Sequence, residues 1–273
     1  MIRFYWYKQN YNFGDILNVL LFRDVFGVKF KWAKTKKADC IAIGSILDML
    51  VGKKMTPIKW LYKKVRGPIK IWGSGFITPW RPSKNVLLRD VDIYALRGKT
   101  SLKRMQEYTG KKLDHVVLGD PGLLASRLLD IKNIDKKYDL GIIPHFSEKG
   151  SPLITNIDVK NSIVIDIQQP VEITLKQIAQ CKNILSSAMH GLIVADAFGI
   201  PNARIELSDK MIGGDYKFID YYSAFGIEMP EKIIITPDTK ITDIGFIKDK
   251  YQIKPEWVED ICQKLLNVFP YKN

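Results

Sequence analysis

Residues 183–201, NILSSAMHGLIVADAFGIP, constrain the fold more tightly than any other stretch. Ile184 and Leu185 read as the end of a buried strand. Ser186 and Ser187 stand where a helix N-cap is wanted, because a hydroxyl there accepts from the first unpaired backbone N–H groups. The apolar run that follows reads as a helix, and Gly199 and Pro201 stop it. A strand, a tight turn and a helix form the repeating unit of an open α/β sheet, whose ligands sit at strand C-termini. His190 falls in the first helical turn. The free N–H groups and positive dipole end found there suit an anion. They also disfavour imidazolium, which keeps a histidine neutral and available for proton transfer. The same spacing equally fits a histidine that only caps or packs.

The unit recurs along the chain. Residues 2–7 read as a strand, 8–14 as a polar loop and 15–25 as a helix with Ile16, Val19 and Leu20 on one side. Strands follow at 39–43, 69–72 and 92–96. The last ends at Arg97, ahead of a helix capped by Thr100 or Ser101 and closed by Gly110. A short strand at 115–118 leads to Asp120-Pro121, with proline at a first helical position. The Gly73-Ser74-Gly75 turn alone is weak evidence for a dinucleotide site, since no G-x-G-x-x-G is present. Residues 130–137, DIKNIDKK, read as a linker. A second series follows, with strands at 138–143, 162–167, 183–187, 204–207 and 232–236 and helices at 172–181, 189–198 and 215–225. The expected fold is therefore α/β with two Rossmann-like domains, 1–133 and 134–273, facing across a cleft. A terminal helix at 255–268 carries Val258, Ile261, Leu265 and Val268 on one face and is expected to pack back on the first domain.

Charge bounds the partners. The 273 residues carry 42 Lys and Arg against 29 Asp and Glu, a net charge of +13, which points to anionic ligands or surfaces. Lys53 to Lys70, KKMTPIKWLYKKVRGPIK, is the most basic stretch, and its interleaved aromatics suit an anionic membrane surface or inward packing. Cys40, Cys181 and Cys262 are odd in number and far apart, which fits a reducing cytosol rather than a disulfide framework. With Arg3 and Lys8 early and no long apolar core, the N-terminus is not expected to be a signal peptide. The longest uncharged apolar run is too short to cross a bilayer. A cytoplasmic protein, soluble or peripheral at the inner face of the membrane, is expected. No carboxylate-histidine cluster has metal-ligand spacing, so no metal is expected. No nucleic-acid-binding motif is present either.

Five elements together resemble one family. S-x-x-H-G-x-x-x-A-D-A-x-G-I-P around His190 is similar to the signature of the polysaccharide pyruvyl transferases. Asn12-Phe13-Gly14-Asp15, Leu96-Arg97-Gly98, Gly119-Asp120-Pro121-Gly122-Leu123-Leu124 and Ile143-Pro144-His145 match in the family's order. The resemblance spans roughly residues 3–226. It implies a GT-B-like fold and an enzyme that moves pyruvate from phosphoenolpyruvate to two hydroxyls of one sugar of a bacterial surface polysaccharide or its precursor. A cyclic ketal forms and phosphate leaves. Phosphoenolpyruvate is then a co-substrate and no cofactor is implied. The acceptor is a saccharide, lipid-linked if the basic stretch meets a membrane.

By the same resemblance His190, His145 and Asp15 are the candidates for catalysis. Arg97, Lys210, Lys217, Ser187 and Gly191 are candidates for binding phosphoenolpyruvate, a donor with a carboxylate and a phosphate that needs fixed cations. Asn12, Gly14 and Asp120 are assigned to the acceptor or to structure. Lys217 lies in G-G-D-Y-K-F-I-D-Y-Y, residues 213–222, similar to the exopolysaccharide branch, and Gly213-Gly214 there can let a backbone approach an anion closely. In one branch an arginine stands two residues before the histidine; here that position is Ala188. Two rival classes remain open: a GT-B-like glycosyltransferase using a nucleotide sugar, and a non-enzymatic basic module for membranes or polyanions.

Overall fold

The computed structural model describes residues 1–9, 11–53, 67–79 and 85–271. Most of the basic-aromatic stretch, residues 54–66, lies outside the described residues. The strands are β1 (Ile2–Tyr5), β2 (Phe30–Trp32), β3 (Cys40–Ile41), β4 (Val51–Lys53), β5 (Ile69–Ser74), β6 (Asn85–Leu87), β7 (Val91–Leu96), β8 (Val117–Leu118), β9 (Tyr138–Ile143), β10 (Ser162–Val164), β11 (Cys181–Ser186), β12 (Asn202–Glu206) and β13 (Ile233–Ile234). Two parallel sheets result, in the orders β2-β1-β3-β5-β7-β8 and β10-β9-β11-β12-β13, with β4 and β6 forming a separate antiparallel pair. Numbered within each sheet, the orders are 2-1-3-4-5-6 and 2-1-3-4-5. The two sheets are thus wound alike, and each reverses direction once, beside its first strand. The near-continuous apolar runs in β3, β5, β9 and β11 suit strands covered on both faces.

The helices are α1 (Phe13–Leu20), α2 (Lys99–Thr109), α3 (Val171–Ala179), α4 (Met189–Ala197), α5 (Tyr216–Ser223), α6 (Gly245–Lys250) and α7 (Pro255–Asn267). A π-helical segment, Leu21–Val25, extends α1, and a 3-10 segment, Pro121–Arg127, follows β8. Helix α4 is apolar on nearly every side and is buried between α1, α3, α7 and the 3-10 segment. It carries one hydrophobic core from the first sheet to the second. Helix α7 returns to the first sheet, where the Trp72 indole donates to the Leu265 carbonyl at 3.1 Å. Gly119 leaves the room α7 needs, since a methyl group there would stand 2.4 Å from Ile261.

Several expectations shift locally. The first sheet gains an edge strand, β2, inside a basic stretch whose alternation is too short to read. The N-cap of α4 is Ala188, without a side-chain hydrogen bond. The serine hydroxyls are used one step earlier: Ser186 Oγ accepts from the Ala188 amide at 3.0 Å and Ser187 Oγ from the His145 amide at 2.9 Å. Helix α2 is capped by Gly98 rather than Thr100 or Ser101, whose hydroxyls both turn to Asp220. Gly110 ends it in the left-handed conformation, φ 66°. Among the described residues no helix is long and apolar enough to cross a membrane.

Candidate functional site

A cleft of about 600 Å³ opens where the reversal points of the two sheets face one another. From the first sheet its wall comes from the segments after β1 and β3: Tyr7, Asn12, Phe13, Asp15, Gly44, Ser45 and Asp48. From the second it comes from the segments after β9 and β11: His145, Phe146, Ser147 and 188–191. The loop and helix after β12 add Lys210, Met211, Ile212 and Lys217. In open α/β sheets ligands lie at such points because the loops there diverge and leave a crevice. Here two crevices are fused.

Asn12 caps α1, its side-chain oxygen accepting from the Gly14 amide at 3.2 Å. The Phe13 amide donates to Ile167 of the second half, which ties the start of α1 across the cleft. Asn18 bridges α1 to the segment after β3, giving to the Ile43 carbonyl and accepting from its amide, each at 2.9 Å. Asp15 is thereby held buried in the wall, and no described hydrogen bond reaches its carboxylate. Burial raises its pKa to about 7.

His190 enters from the first turn of α4 and lies on Gly14. A methyl group at Gly14 would stand 2.0 Å from His190 Nδ1, so the glycine is where one sheet's site admits the other's histidine. His190 Nε2 is sealed from solvent and has no partner among the described residues. Burial first, then the charges of Lys217 and Arg97, lowers its pKa to about 3, leaving the imidazole neutral. His145 caps the 3-10 turn Phe146–Glu148, its Nδ1 2.7 Å from Ser147 Oγ. Burial and Lys217 lower its pKa to about 4.

Three cations are buried together near the cleft floor, and two are paired. Arg97 Nε meets Asp220 Oδ2 at 3.0 Å, and Arg204 Nη2 meets Asp215 Oδ1 at 2.7 Å. The third, Lys217, is 9% exposed and makes no salt bridge or hydrogen bond among the described residues. Burial, then Arg97 and Arg204, lowers its pKa to about 8, partly offset by Glu148. A buried ammonium without a counter-ion, open to a cleft, is a site prepared for an anion. Lys210 lines the outer part of the same wall and is exposed.

Of the other residues expected at the site, Gly191 lines the cleft and the rest stand behind it. Arg97 is 1% exposed and spends its guanidinium on Asp220, the Phe76 carbonyl at 2.7 Å and Ser45 Oγ at 2.6 Å. Ser187 fixes the His145 backbone. Gly191 abuts Ser186, which a methyl group there would approach to 2.5 Å. Asp120 is fully buried; it caps the 3-10 segment through the Gly122 amide at 2.8 Å, and burial raises its pKa to about 6. Gly213 approaches the Ile77 carbonyl rather than the cleft: a methyl group there would stand 1.9 Å from that oxygen, and φ is 79°. Three residues that the sequence reasoning gave no role now have one. Ser45 and Asp48 follow β3 at the reversal point. Asp220 sits inside the motif already quoted for Lys217, and its partners lie about 120 positions away.

Comparison with known proteins adds the following. The family model described as polysaccharide pyruvyl transferase matches residues 2–209. A protein described as uncharacterized, L143 of Acanthamoeba polyphaga mimivirus, is 36% identical over 142 residues, covering 50% of this chain and 49% of that protein. The succinoglycan biosynthesis protein ExoV of Rhizobium meliloti (strain 1021) is 25% identical over 232 residues, covering 82% of this chain and 65% of that protein. The match thus spans about half to just under two thirds of the length of these relatives. A solved structure of an uncharacterized Klebsiella pneumoniae protein aligns with a TM-score of 0.47 at 12% identity, over 86% of this chain and 93% of that one.

Proposed function

Because the chain belongs to the polysaccharide pyruvyl transferase family, we propose that it transfers pyruvate from phosphoenolpyruvate to two hydroxyls of one sugar in a surface polysaccharide or its precursor, releasing phosphate and closing a cyclic ketal. The observation that carries this reading is the unpaired, buried Lys217 ammonium beside two neutral imidazoles and a carboxyl of near-neutral pKa, all on one cleft. We read the two sheets as two Rossmann-like domains in a GT-B-like arrangement, divided near residue 133; their like strand orders and facing reversal points support it.

The chemistry can be divided over these side chains. The donor's anionic groups lie against Lys217, with Lys210 at the outer edge. The methylene carbon of the donor must gain a proton, its central carbon must gain two sugar oxygens, and the bond to the phosphate oxygen must break. Two hydroxyl protons are lost in all. His190, neutral and with a free nitrogen, takes the proton of an attacking hydroxyl and returns it to the departing phosphate. Asp15, protonated in about half the molecules near pH 7, supplies the proton for the methylene carbon and is restored by the second hydroxyl. His145 holds the donor or a sugar hydroxyl on the opposite wall. Asp48 and Asn12 offer the acceptor its remaining polar contacts. The basic, aromatic composition of residues 53–70 supports an acceptor carried on a lipid at the cytoplasmic face of a membrane.

The test is direct. Titration calorimetry with phosphoenolpyruvate should give saturable binding, and adding the acceptor saccharide should yield a pyruvate ketal visible by NMR with release of one phosphate. Heat from nucleotide sugars alone would overturn the reading in favour of a glycosyltransferase.

A further inference from the structure

We infer that Ser45 contacts the donor directly: its hydroxyl, held from behind by the buried Arg97–Asp220 pair, donates a hydrogen bond to an anionic oxygen at the cleft floor. The identity of the donor rests on the pyruvyl-transfer reading.

Arg97 is enclosed on every side. Its guanidinium fits only because residue 75 is glycine; a methyl group there would stand 2.3 Å from Cζ. Nε is taken by Asp220 and Nη2 by the Phe76 carbonyl. Asp220 is itself fixed by Thr100 Oγ1 at 2.5 Å, by Ser101 Oγ at 2.6 Å and by the Ser101 amide at 2.8 Å. Gly98 permits that approach, since a methyl group there would stand 1.7 Å from the Asp220 carbonyl oxygen. The guanidinium therefore cannot swing out to meet a ligand. Its one hydrogen bond to the cleft wall, among the described residues, is from Nη1 to Ser45 Oγ at 2.6 Å.

That bond decides how Ser45 is used. A hydroxyl has one proton and two acceptor lone pairs. Arg97 occupies a lone pair, so the proton is free, and no described residue accepts it. A cation donating to the oxygen withdraws electron density and strengthens the O–H as a donor. Ser45 thus carries the charge of a sealed arginine to the cleft surface as a directed hydrogen bond. Arg97 also acts electrostatically on His190 and Lys217, which places all three around one volume. An anionic oxygen there meets Lys217 on one side and the Ser45 hydroxyl on the other. Arg97 and Asp220 are positioning residues that work through Ser45. The Gly73-Ser74-Gly75 turn finds its use here, as the slot for Arg97 rather than for a dinucleotide.

The experiment is titration of the full chain with phosphoenolpyruvate and, separately, with inorganic phosphate, together with thermal melting. Ser45→Ala should weaken phosphoenolpyruvate binding by ~10-fold or more, the loss of one hydrogen bond to a charged group, with a cooperative melt lowered only by the lost acceptor of Arg97 Nη1. Ser45→Thr, which keeps the hydroxyl, should bind near the wild-type level. In an Arg97→Lys background, Ser45→Ala should add little, because the two act as one unit. If Arg97→Lys does not fold, the Ala and Thr variants decide alone. Wild-type binding in Ser45→Ala would overturn the role of Ser45 and leave pyruvyl transfer standing. Equal losses in Ser45→Thr and Ser45→Ala would overturn it too, the effect then lying in the loop. A wild type that binds neither anion overturns both inferences.

Discussion

The two walls of the cleft are built alike and carry different side chains, carboxyl groups on one and basic groups on the other. Each arises where a parallel sheet of the same winding reverses direction, so backbone topology alone would make them equivalent. The first-sheet wall presents the carboxyl groups of Asp15 and of Asp48, the latter paired with the buried Arg104 at 2.9 Å. The second presents Lys210, Lys217 and two histidines. Strand order sets where a crevice opens, and the few loop residues after each strand set what it can hold. Under the proposed pyruvyl transfer, this comparison assigns the anionic donor to the second wall and the proton and hydroxyls to the first. The two meet where His190 rests on Gly14.

The most severe break is to remove the group that crosses. His190→Asn keeps a polar side chain of similar reach but no titratable nitrogen. Ketal formation should fall by ~10²–10⁴-fold, the usual worth of a general acid–base group, while phosphoenolpyruvate binding stays within a few-fold. Single-turnover rates and calorimetry separate the two. Equal losses in binding and rate would mean that His190 holds the donor instead. Gly14→Ala attacks the same interlock from the first wall. Its methyl group must displace the imidazole, and a shift of about 1 Å at a reacting group can cost ~10²-fold in rate. A Gly14→Ala enzyme of normal rate would show that the imidazole need not sit there.

The comparison sharpens when the second wall loses its cation. Lys217→Met keeps length and apolar stem but removes the ammonium, and phosphoenolpyruvate affinity should fall ~10–100-fold. The pH dependence follows with its sign. Anion binding needs charged Lys217, whose pKa is held down to about 8 by burial and by Arg97 and Arg204. Affinity should therefore decline as pH rises through 8, and the Met variant should lose that decline. A decline that persists in Lys217→Met would assign it to another group, Lys210 first.

These residues were not equally legible in the chain. Strand β9 is read to the residue, because a linker precedes it and Pro144 stops it. The helix carrying His190 is read within a residue because Gly199 and Pro201 end it. Both wall histidines, Asp15, Asn12, Lys210 and Lys217 come to one cleft because each lies just after a strand or opens a helix, where local patterning places it. Arg97 looks the same locally, at a strand end before a helix. Its surroundings come from Gly75, Ser45 and Asp220, the last 123 positions away, and no local pattern carries that pairing. The serines before His190 mislead for a related reason. Their hydroxyls find partners on β9 and its following turn, 43 and 42 positions away, and tertiary contact overrides the capping preference.

The smallest predicted effect concerns stability and isolates the first wall. Asp15 is buried without a described hydrogen bond to its carboxylate, and its pKa is raised by burial from the ordinary 3.8 to about 7. Unfolded chains release this proton near pH 4 and folded chains keep it until about pH 7. Between those values the unfolded state binds fewer protons, so this group's contribution to stability falls as pH rises. Above pH 7 the penalty is complete, at most about 4 kcal/mol for a shift of this size. Asp15→Asn keeps the shape and removes the charge. It should raise the melting temperature by several degrees at pH 8 and change it little at pH 4, while ketal formation falls. The reverse pattern, a variant less stable at pH 8, would mean that the carboxylate is held by a favourable partner. The first wall would then be a binding surface for a cation rather than a store of protons.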